Sequence, residues 1–355
     1  MQENNKQLKW SIVTFILAAL SVLAMFSQSR SLTVSGLLES LGESGPLAIL
    51  AALICMAGYI VCEGIALWLM LRHNGYKKRP LDGIMYAAAD IYCSAITPSA
   101  TGGQPVCAWF MSRDGVPMGI ITAILMIHLI MHSFASVTIG ILSLIIAPSV
   151  FLGFSLLSKF FIVLGFLLLT GIAAIFIVLF SKEKEVYGIG CKIIAWLKKK
   201  NIIKRDAYWR DWTKNMLHEC AESLQSMRGM GRFMGVIYLL NVLQRLSQTL
   251  VSVILFTSNP TFRSGLGQGS ASRVFVTQIF STIGSSWVPI PGGMGVADLL
   301  LFDGLGAILD REHALRLELL TRSFSFYMCV LLSLVIVLIG YIQRRRQYAT
   351  VGRRH

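Results

Sequence analysis

Long apolar runs, separated by short polar or basic segments, dominate the pattern of hydrophobic and polar positions along the chain. A helix that crosses a bilayer needs about 20 mostly apolar residues, and several of these runs reach that length. The pattern therefore predicts an all-α polytopic membrane protein with six full spans. The spans are expected at about 10–27, 46–71, 117–147, 151–180, 232–257 and 321–341.

Two further apolar runs are interrupted by glycine and proline. "TPSATGGQP" separates a first arm at 82–97 from a second that reaches Met111, and "PIPGGMG" separates arms at 273–290 and 295–309. The pattern predicts two re-entrant broken-helix hairpins, the first entering from the cytoplasm and the second from outside, as an inverted repeat would arrange them. Full crossing by every arm, which would give ten spans, is an alternative that charge alone leaves open.

Lysine and arginine indicate the orientation of the chain. "RHNGYKKRP" at 72–80, "SKEKE" at 181–185 and the arginines at 344–346 lie between or after the spans. The positive-inside rule places these segments, and with them both termini, in the cytoplasm. The net charge of +14 fits such loops facing anionic lipid headgroups. No recognised nucleic-acid-binding motif accompanies it, so nucleic acid is not an expected partner.

The basic stretch 186–231 is the longest interruption of the apolar pattern. It interleaves Trp196, Trp209 and Trp212 with lysines and arginines. Tryptophan combined with lysine is typical of a helix lying at a membrane interface, whereas a plain cytosolic connector is the alternative. We expect one transmembrane domain over 1–355, with 186–231 as a connector inside it.

Cysteine and histidine give no sign of a metal or a cofactor. The seven cysteines are odd in number and form no CxxC pair, so neither a disulfide framework nor a zinc site is expected. His128 and His132 lie one helical turn apart, but Leu129 occupies the position that is glutamate in the zinc-protease motif. We therefore expect interhelical hydrogen bonds from the two histidines, with no metal, cofactor or catalytic residue.

The two breaks are the candidate binding site. Irregular backbone at membrane depth is tolerated only where it is buried in protein or lines a wet cavity. A helix that starts there directs its N-terminal amides and its positive end into that cavity. We expect the breaks to cradle an anionic group such as a phosphodiester; simple packed kinks are the alternative. The pattern assigns this role to Thr97, Ser99, Thr101, Gly102, Gly103, Gln104, Pro105, Gly292, Gly293 and Gly295.

Ionisable residues inside apolar runs extend this expectation, because they cost several kcal/mol in lipid and usually face a protein interior or a polar pathway. Arg245 is a candidate phosphate partner. Glu63, Asp90 and Asp298 either face a cationic headgroup amine or pair with Arg245, and both interpretations remain open.

The combination of "ITPSATGGQPV" and "PIPGGMGVAD" resembles the lysylphosphatidylglycerol synthase/flippase transmembrane family, the membrane half of the bacterial multiple-peptide-resistance proteins. The resemblance runs from about residue 10 to 342. An acid, often glutamate, commonly follows the second motif in that family; here it is Asp298, which keeps the charge and shortens the reach. The resemblance implies functional roles for Thr97, Pro98, Ser99, Gly102, Gly103, Gln104, Pro105, Pro291, Gly292, Gly293 and Gly295.

The resemblance implies a multi-pass protein of the bacterial plasma membrane that moves an anionic or aminoacylated phosphatidylglycerol between leaflets. Such movement would contribute to membrane charge and to resistance against cationic antimicrobial peptides. The implied partners are that phospholipid and a separate soluble synthase, and a homo-oligomer is compatible with the sequence. Two alternatives remain: a membrane component of a phosphatidylglycerol lysyltransferase system, and a membrane protein that binds lipid without moving it. No segment resembles an aminoacyl-transferase domain, so we expect no lysyltransferase activity from this chain by itself.

Overall fold

A computed structural model describes residues 34–97, 100–181, 206–228, 230–263, 270–293, 295–306 and 308–351, with single positions between 185 and 195. Every regular element in these ranges is helical. The main helices are α1 (Val34–His73), α2 (Pro80–Ile96), α3 (Gly103–Arg113), α4 (Met118–Ile146), α5 (Pro148–Gly153), α6 (Leu156–Ser181), α7 (Asp206–Arg228), α8 (Gly231–Ser258), α9 (Pro260–Arg263), α10 (Ser270–Ser285), α11 (Val296–Leu305), α12 (Arg311–Arg322) and α13 (Cys329–Val351). The first predicted span, at 10–27, lies outside the described residues.

Within these ranges, five helical segments are long and apolar enough to cross a membrane. They overlap the other five predicted spans, and the protein is a multi-pass membrane protein. Large apolar side chains such as Leu47, Leu50 and Ile54 are exposed along one face of α1, as lipid-facing residues would be. The segments are Gly42–His73, Met118–Ile146, Leu156–Ile177, Gly231–Ser258 and Arg311–Arg344.

The last of these segments begins ten residues before its predicted start. Helix α12 runs into a π-helical turn at Ser323–Met328 and then directly into α13, so the helix is continuous from Arg311. The sequence indicated a break here because charged residues precede 321. The structure accommodates Arg322 in the helix by pairing its guanidinium with Asp298.

Two helical hairpins correspond to the interrupted runs. Helices α2 and α3 form the first, and its two ends meet where Lys78 Nζ donates a 2.6 Å hydrogen bond to the carbonyl oxygen of Asp114. Helices α10 and α11 form the second, joined where Ser281 Oγ donates to the carbonyl of Ala297 at 2.8 Å. Helix α10 ends at Ser285, not at 290 as predicted, because proline disfavours helix in the residues before it.

The second arm of each hairpin is short. Helix α3 has 11 residues and α11 has 10. At 1.5 Å per residue they extend about 15–17 Å, roughly half of the ~30 Å hydrocarbon core of a bilayer. Neither arm is long enough to cross a membrane by itself.

Glycines bring long helices into close contact with the first arm of each hairpin, as small residues often do between membrane helices. A Cβ atom on Gly83 of α2 would lie 2.3 Å from the carbonyl oxygen of Gly64 in α1. One on Gly165 of α6 would lie 2.2 Å from the carbonyl oxygen of Ile283 in α10. These contacts fix the arms against the spans that flank them.

The hairpins have their ends at opposite ends of the helix bundle. The ends of the first hairpin lie beside the C-terminal part of α13, where Arg344 pairs with Asp82 at 3.0 Å and Asp114 at 2.6 Å. Helix α7 lies at the same end, since Ser223 Oγ donates to Asn74 Oδ1 at 2.7 Å. The sequence predicts this end to be cytoplasmic.

At the opposite end, α11 of the second hairpin meets the start of α6. The backbone N–H of Ser155 donates to Asp303 Oδ2 at 2.9 Å. Phe262, in α9 after the end of α8, packs edge-on against His313 in α12. The tips of both hairpins therefore point toward the middle of the bundle.

Candidate functional site

The two breaks face one cavity of about 520 Å³ in the middle of the bundle. Both hairpin tips contribute backbone and side chains to its wall, and α1, α4, α6, α8, the end of α12, the π-helical turn and the start of α13 contribute the rest. The residues from the tips and the adjoining helix ends are Ser94, Ala95, Ala100, Gln104, Ser285, Ser286, Val288, Ile290, Gly292 and Gly293. The cavity is therefore a meeting point of the two interrupted segments that the sequence singled out.

The first break is held by hydrogen bonds within its own hairpin. Thr97 Oγ1 donates to the carbonyl of Cys93 at 2.7 Å and accepts the backbone N–H of Gly102 at 2.9 Å. A Cβ atom on Gly103 would lie 2.0 Å from both Asp90 Oδ1 and Ser94 Oγ. The N-terminal end of α3 thus rests on the Asp90 carboxyl group, which compensates the positive end of the helix dipole.

The second break repeats this arrangement with different residues. Gly292 and Gly293 have φ angles of 62° and 61°, the left-handed conformation that glycine adopts without strain. A Cβ atom on Gly292 would also lie 2.2 Å from the ring of Phe326. The backbone N–H of Gly295 donates to Asp298 Oδ2 at 2.9 Å, so a carboxylate again compensates the start of a half-helix.

Arg322 is a cation on the wall of the cavity that the sequence analysis did not select. Its Nε lies 2.6 Å from Asp298 Oδ1, and its NH2 donates to the carbonyl of Gly292 at 3.3 Å. The guanidinium carbon lies 4.8 Å from the centre of the Phe326 ring. Arg322 stands at the predicted start of the last span, and such a position usually marks a helix end, which is why it was missed.

Arg245 is buried behind the cavity wall. Its NH1 donates to Gln248 Oε1 at 2.9 Å, its NH2 donates to His132 Nε2 at 2.5 Å, and Ser136 Oγ accepts from Nε and NH2. His132 and Gln248 line the cavity, whereas Arg245 does not. The expected alternative in which Asp298 pairs with Arg245 is wrong, because Asp298 pairs with Arg322.

The two histidines of α4 also lie at this wall. Within the described part of the chain, no third histidine, cysteine, aspartate or glutamate joins His128 and His132 in a group able to hold a metal ion. The Nε2 atom of His132 instead accepts a hydrogen bond from Arg245. This pair provides polar surface, and hydrogen bonds between helices are what the sequence predicts for these histidines.

Glu63 and Asp90 are the acidic residues of the cavity wall. Gln244 Nε2 donates to Glu63 Oε2 at 2.6 Å, and Ser94 Oγ donates to Asp90 Oδ1 at 3.0 Å. Among the described residues, neither acid lies within 4 Å of a basic side chain. The wall thus has two carboxyl groups on α1 and α2, and one guanidinium at the end of α12.

The residues selected from sequence fall into groups. Those that line the cavity are Glu63, Asp90, Gln104, Gly292 and Gly293. Those that shape the breaks from beside it are Thr97, Gly102, Gly103, Gly295 and Asp298. Thr101 and Pro105 are exposed, Pro291 begins a 3₁₀ turn, and Pro98 and Ser99 lie outside the described residues. Cavity residues that the sequence analysis left out include Arg322, Gln248 and Gln278.

The sequence matches the family described as lysylphosphatidylglycerol synthase TM region over residues 11–333. The chain therefore belongs to this family, and the resemblance inferred from the two motifs is confirmed. No curated protein matches the sequence.

Proposed function

We propose that this protein moves a phospholipid between the two leaflets of the membrane, with the lipid headgroup in the cavity between the broken hairpins. The observation that carries the proposal is a cavity of about 520 Å³ lined by both breaks and by charged groups of both signs. That volume lies within the ~300–1,000 Å³ usual for small-molecule sites. Family membership favours an anionic or aminoacylated phosphatidylglycerol as the lipid, and a role in membrane charge and resistance to cationic antimicrobial peptides.

Arg322 is the phosphate partner that the geometry supports best. The sequence favoured the half-helix amides and Arg245, but Asp90 and Asp298 already compensate the helix ends, and Arg245 is bound behind the wall. Arg322 uses Nε for Asp298 and one NH2 hydrogen for Gly292. A guanidinium has five N–H donors, so donors remain for a phosphate oxygen.

Glu63 and Asp90 are suited to the opposite part of a headgroup. A carboxylate in a low-dielectric site attracts an ammonium group strongly, and neither acid has a basic partner among the described residues. An aminoacylated headgroup carries both a phosphate and an ammonium. With the phosphate at Arg322 and the ammonium at Glu63 or Asp90, such a headgroup would span the cavity from the second break to the first.

Alternating exposure of this cavity would follow from the two hairpins. We propose that both are re-entrant, the first from the cytoplasm and the second from outside. The support is that α3 and α11 each extend about half the thickness of a bilayer, and that the hairpin ends lie at opposite ends of the bundle. Movement of one hairpin against the other would open the site to one leaflet at a time.

The experiment is leaflet-resolved lipid movement in proteoliposomes that contain labelled phosphatidylglycerol or lysylphosphatidylglycerol. We expect the parent protein to accelerate movement over protein-free vesicles. Arg322→Gln should slow it at least about tenfold, because loss of a charged hydrogen bond costs ~1.5–3 kcal/mol. Arg316→Gln is the matched control: Arg316 pairs with exposed Glu312 on the same helix, and its loss should leave the rate unchanged.

Two results would contradict the proposal. A parent protein that binds lipid but moves none would be a lipid-binding protein without transport. Folded Arg322→Gln protein that moves lipid at the parent rate would exclude Arg322 as the phosphate partner.

A further inference from the structure

The acids of the cavity are separated from the nearby cations. The guanidinium of Arg245 is bound to His132, Ser136 and Gln248. That of Arg322 is bound to Asp298 and Gly292. Glu63 and Asp90 receive hydrogen bonds from the neutral side chains of Gln244 and Ser94 instead. Their negative charge is thus not neutralised by a basic side chain in the described part of the protein.

Such charge is costly at membrane depth. Each ion taken out of water costs several kcal/mol unless a counter-ion accompanies it, and two carboxylates on neighbouring helices also repel each other. The positive end of α3 offsets only part of the charge of this pair, so a further cation is favoured when the cavity holds no cationic headgroup. The proton is the cation that needs no further ligands.

Further polar side chains surround the two acids. Three side chains of its wall are more than nine-tenths buried and have a polar atom without a hydrogen-bond partner among the described residues. These are His128 Nε2, Ser133 Oγ and Gln278 Oε1, in side chains that are 5%, 1% and 6% exposed. These side chains add to the polar character of the wall around Glu63 and Asp90.

We infer that Glu63 and Asp90 form a proton site that exchanges its protons for the ammonium group of the lipid, so that a cationic lipid moves one way while protons move the other. The inference rests on the proposed function. When the headgroup enters, an O–H bond of a carboxylic acid breaks, the proton passes to water on that side, and the ammonium takes its place. When the headgroup leaves on the other side, the carboxylate takes a proton from water there.

Other titratable or charged groups surround the pair. The titratable or charged groups that face them from the packed helices are Tyr59 on α1, Cys93 on α2, Cys107 on α3, His128 and His132 on α4, Arg245 on α8, Arg322 on α12 and Cys329 on α13. Both arginines are permanently charged, and phenol and thiols are weak acids. His132 Nε2 already accepts a hydrogen bond, which leaves that nitrogen closed to a proton.

The test uses the full chain in vesicles with a trapped pH-sensitive dye. Lysylphosphatidylglycerol is added to the outer leaflet, and its inward movement and the luminal pH are recorded together, with protein-free vesicles as the baseline. We expect the luminal pH to rise in proportion to the lipid moved inward. A lumen made more acidic than the outside should accelerate inward movement several-fold.

Variants locate the proton site. Glu63→Gln and Asp90→Asn should each reduce the protons moved per lipid. Glu222→Gln should not, because Glu222 lies on α7 with a side chain that is 68% exposed. Unchanged proton movement in folded Glu63→Gln and Asp90→Asn proteins would overturn the assignment of the site.

If a variant fails to fold, measurements on the parent protein alone still test proton exchange. Lipid movement without any change in luminal pH, at a rate independent of the pH gradient, would overturn proton exchange and leave the proposed function intact. Absence of lipid movement in the parent would overturn the proposed function, and the inference with it.

Discussion

Replacement of Gly103 by alanine is the most direct probe of how the first break is built. A Cβ atom at this position would lie 2.0 Å from Asp90 Oδ1, 2.0 Å from Ser94 Oγ and 2.6 Å from the carbonyl oxygen of Asp90. Favourable contacts between such atoms lie near 3.5 Å. The side chains of Asp90 and Ser94 can rotate away, but the carbonyl belongs to α2. The start of α3 must therefore move by about an ångström.

Displacements of this kind in a packed interior typically cost ~1–3 kcal/mol. We expect Gly103→Ala to lose that much stability and also to slow lipid movement, because Asp90 and Gln104 line the cavity beside it. Gly171→Ala is the matched control. Gly171 lies within α6 with no neighbouring atom near its Cβ position. Alanine is a better helix former by ~0.8–1 kcal/mol, so this variant should be as stable as the parent or more so.

The assay is thermal unfolding of the purified proteins in detergent, followed by lipid movement for each folded variant. A Ser94→Ala change combined with Gly103→Ala removes one of the crowding oxygens and should recover ~0.5 kcal/mol or more relative to additivity. Gly103→Ala protein as stable as Gly171→Ala, with parental lipid movement, would refute the close approach of α3 to α2.

Two further predictions concern topology and the end of the bundle that carries the first hairpin. On a cysteine-free background, single cysteines at Lys78 and Arg113 should react with an impermeant thiol reagent only from the cytoplasm, and one at Arg263 only from outside; reaction at Arg113 from outside would contradict a re-entrant first hairpin. Arg344→Gln should lower thermal stability by ~1.5–3 kcal/mol, since this mostly buried arginine pairs with two carboxylates at 3.0 and 2.6 Å. Arg316→Gln removes a more exposed ion pair and should lower thermal stability by less than about 0.5 kcal/mol. Equal losses of stability in Arg344→Gln and Arg316→Gln would refute the larger contribution of the Arg344 pairs.

The positions of the helices followed from local composition. Helices Met118–Ile146 and Gly231–Ser258 lie within a residue or two of the spans predicted from apolar length. The hairpin arms were also located, because glycine and proline end a helix through local backbone geometry. Prediction failed at the start of α12, where the helix depends on the pairing of Arg322 with Asp298, which composition does not encode. It also failed at the end of α10, which the prolines at 289 and 291 place a few residues earlier than apolar length suggests.

The sequence predicted which kinds of residue form the candidate site better than it predicted which side chains contact one another there. Glu63 and Asp90 were selected because a carboxyl group in an apolar run needs a polar environment, and both line the cavity. Arg245 was selected for the same reason but lies behind the cavity wall, and the arginine that lines the cavity is Arg322. The two arginines lie on different helices, and a single sequence does not specify which helix face meets which neighbour.

The sequence by itself therefore determined the features that follow from general constraints of the bilayer and the backbone. Apolar length specifies the spans, and glycine and proline specify the breaks. The tertiary structure decided which groups meet. Thr97 satisfies the amide of Gly102 a few residues away, but Asp298 pairs with Arg322 and Gln244 bonds to Glu63 across separate helices. Those pairs depend on how the helices rotate and approach, which is set by packing at contacts such as that of Gly83 with Gly64.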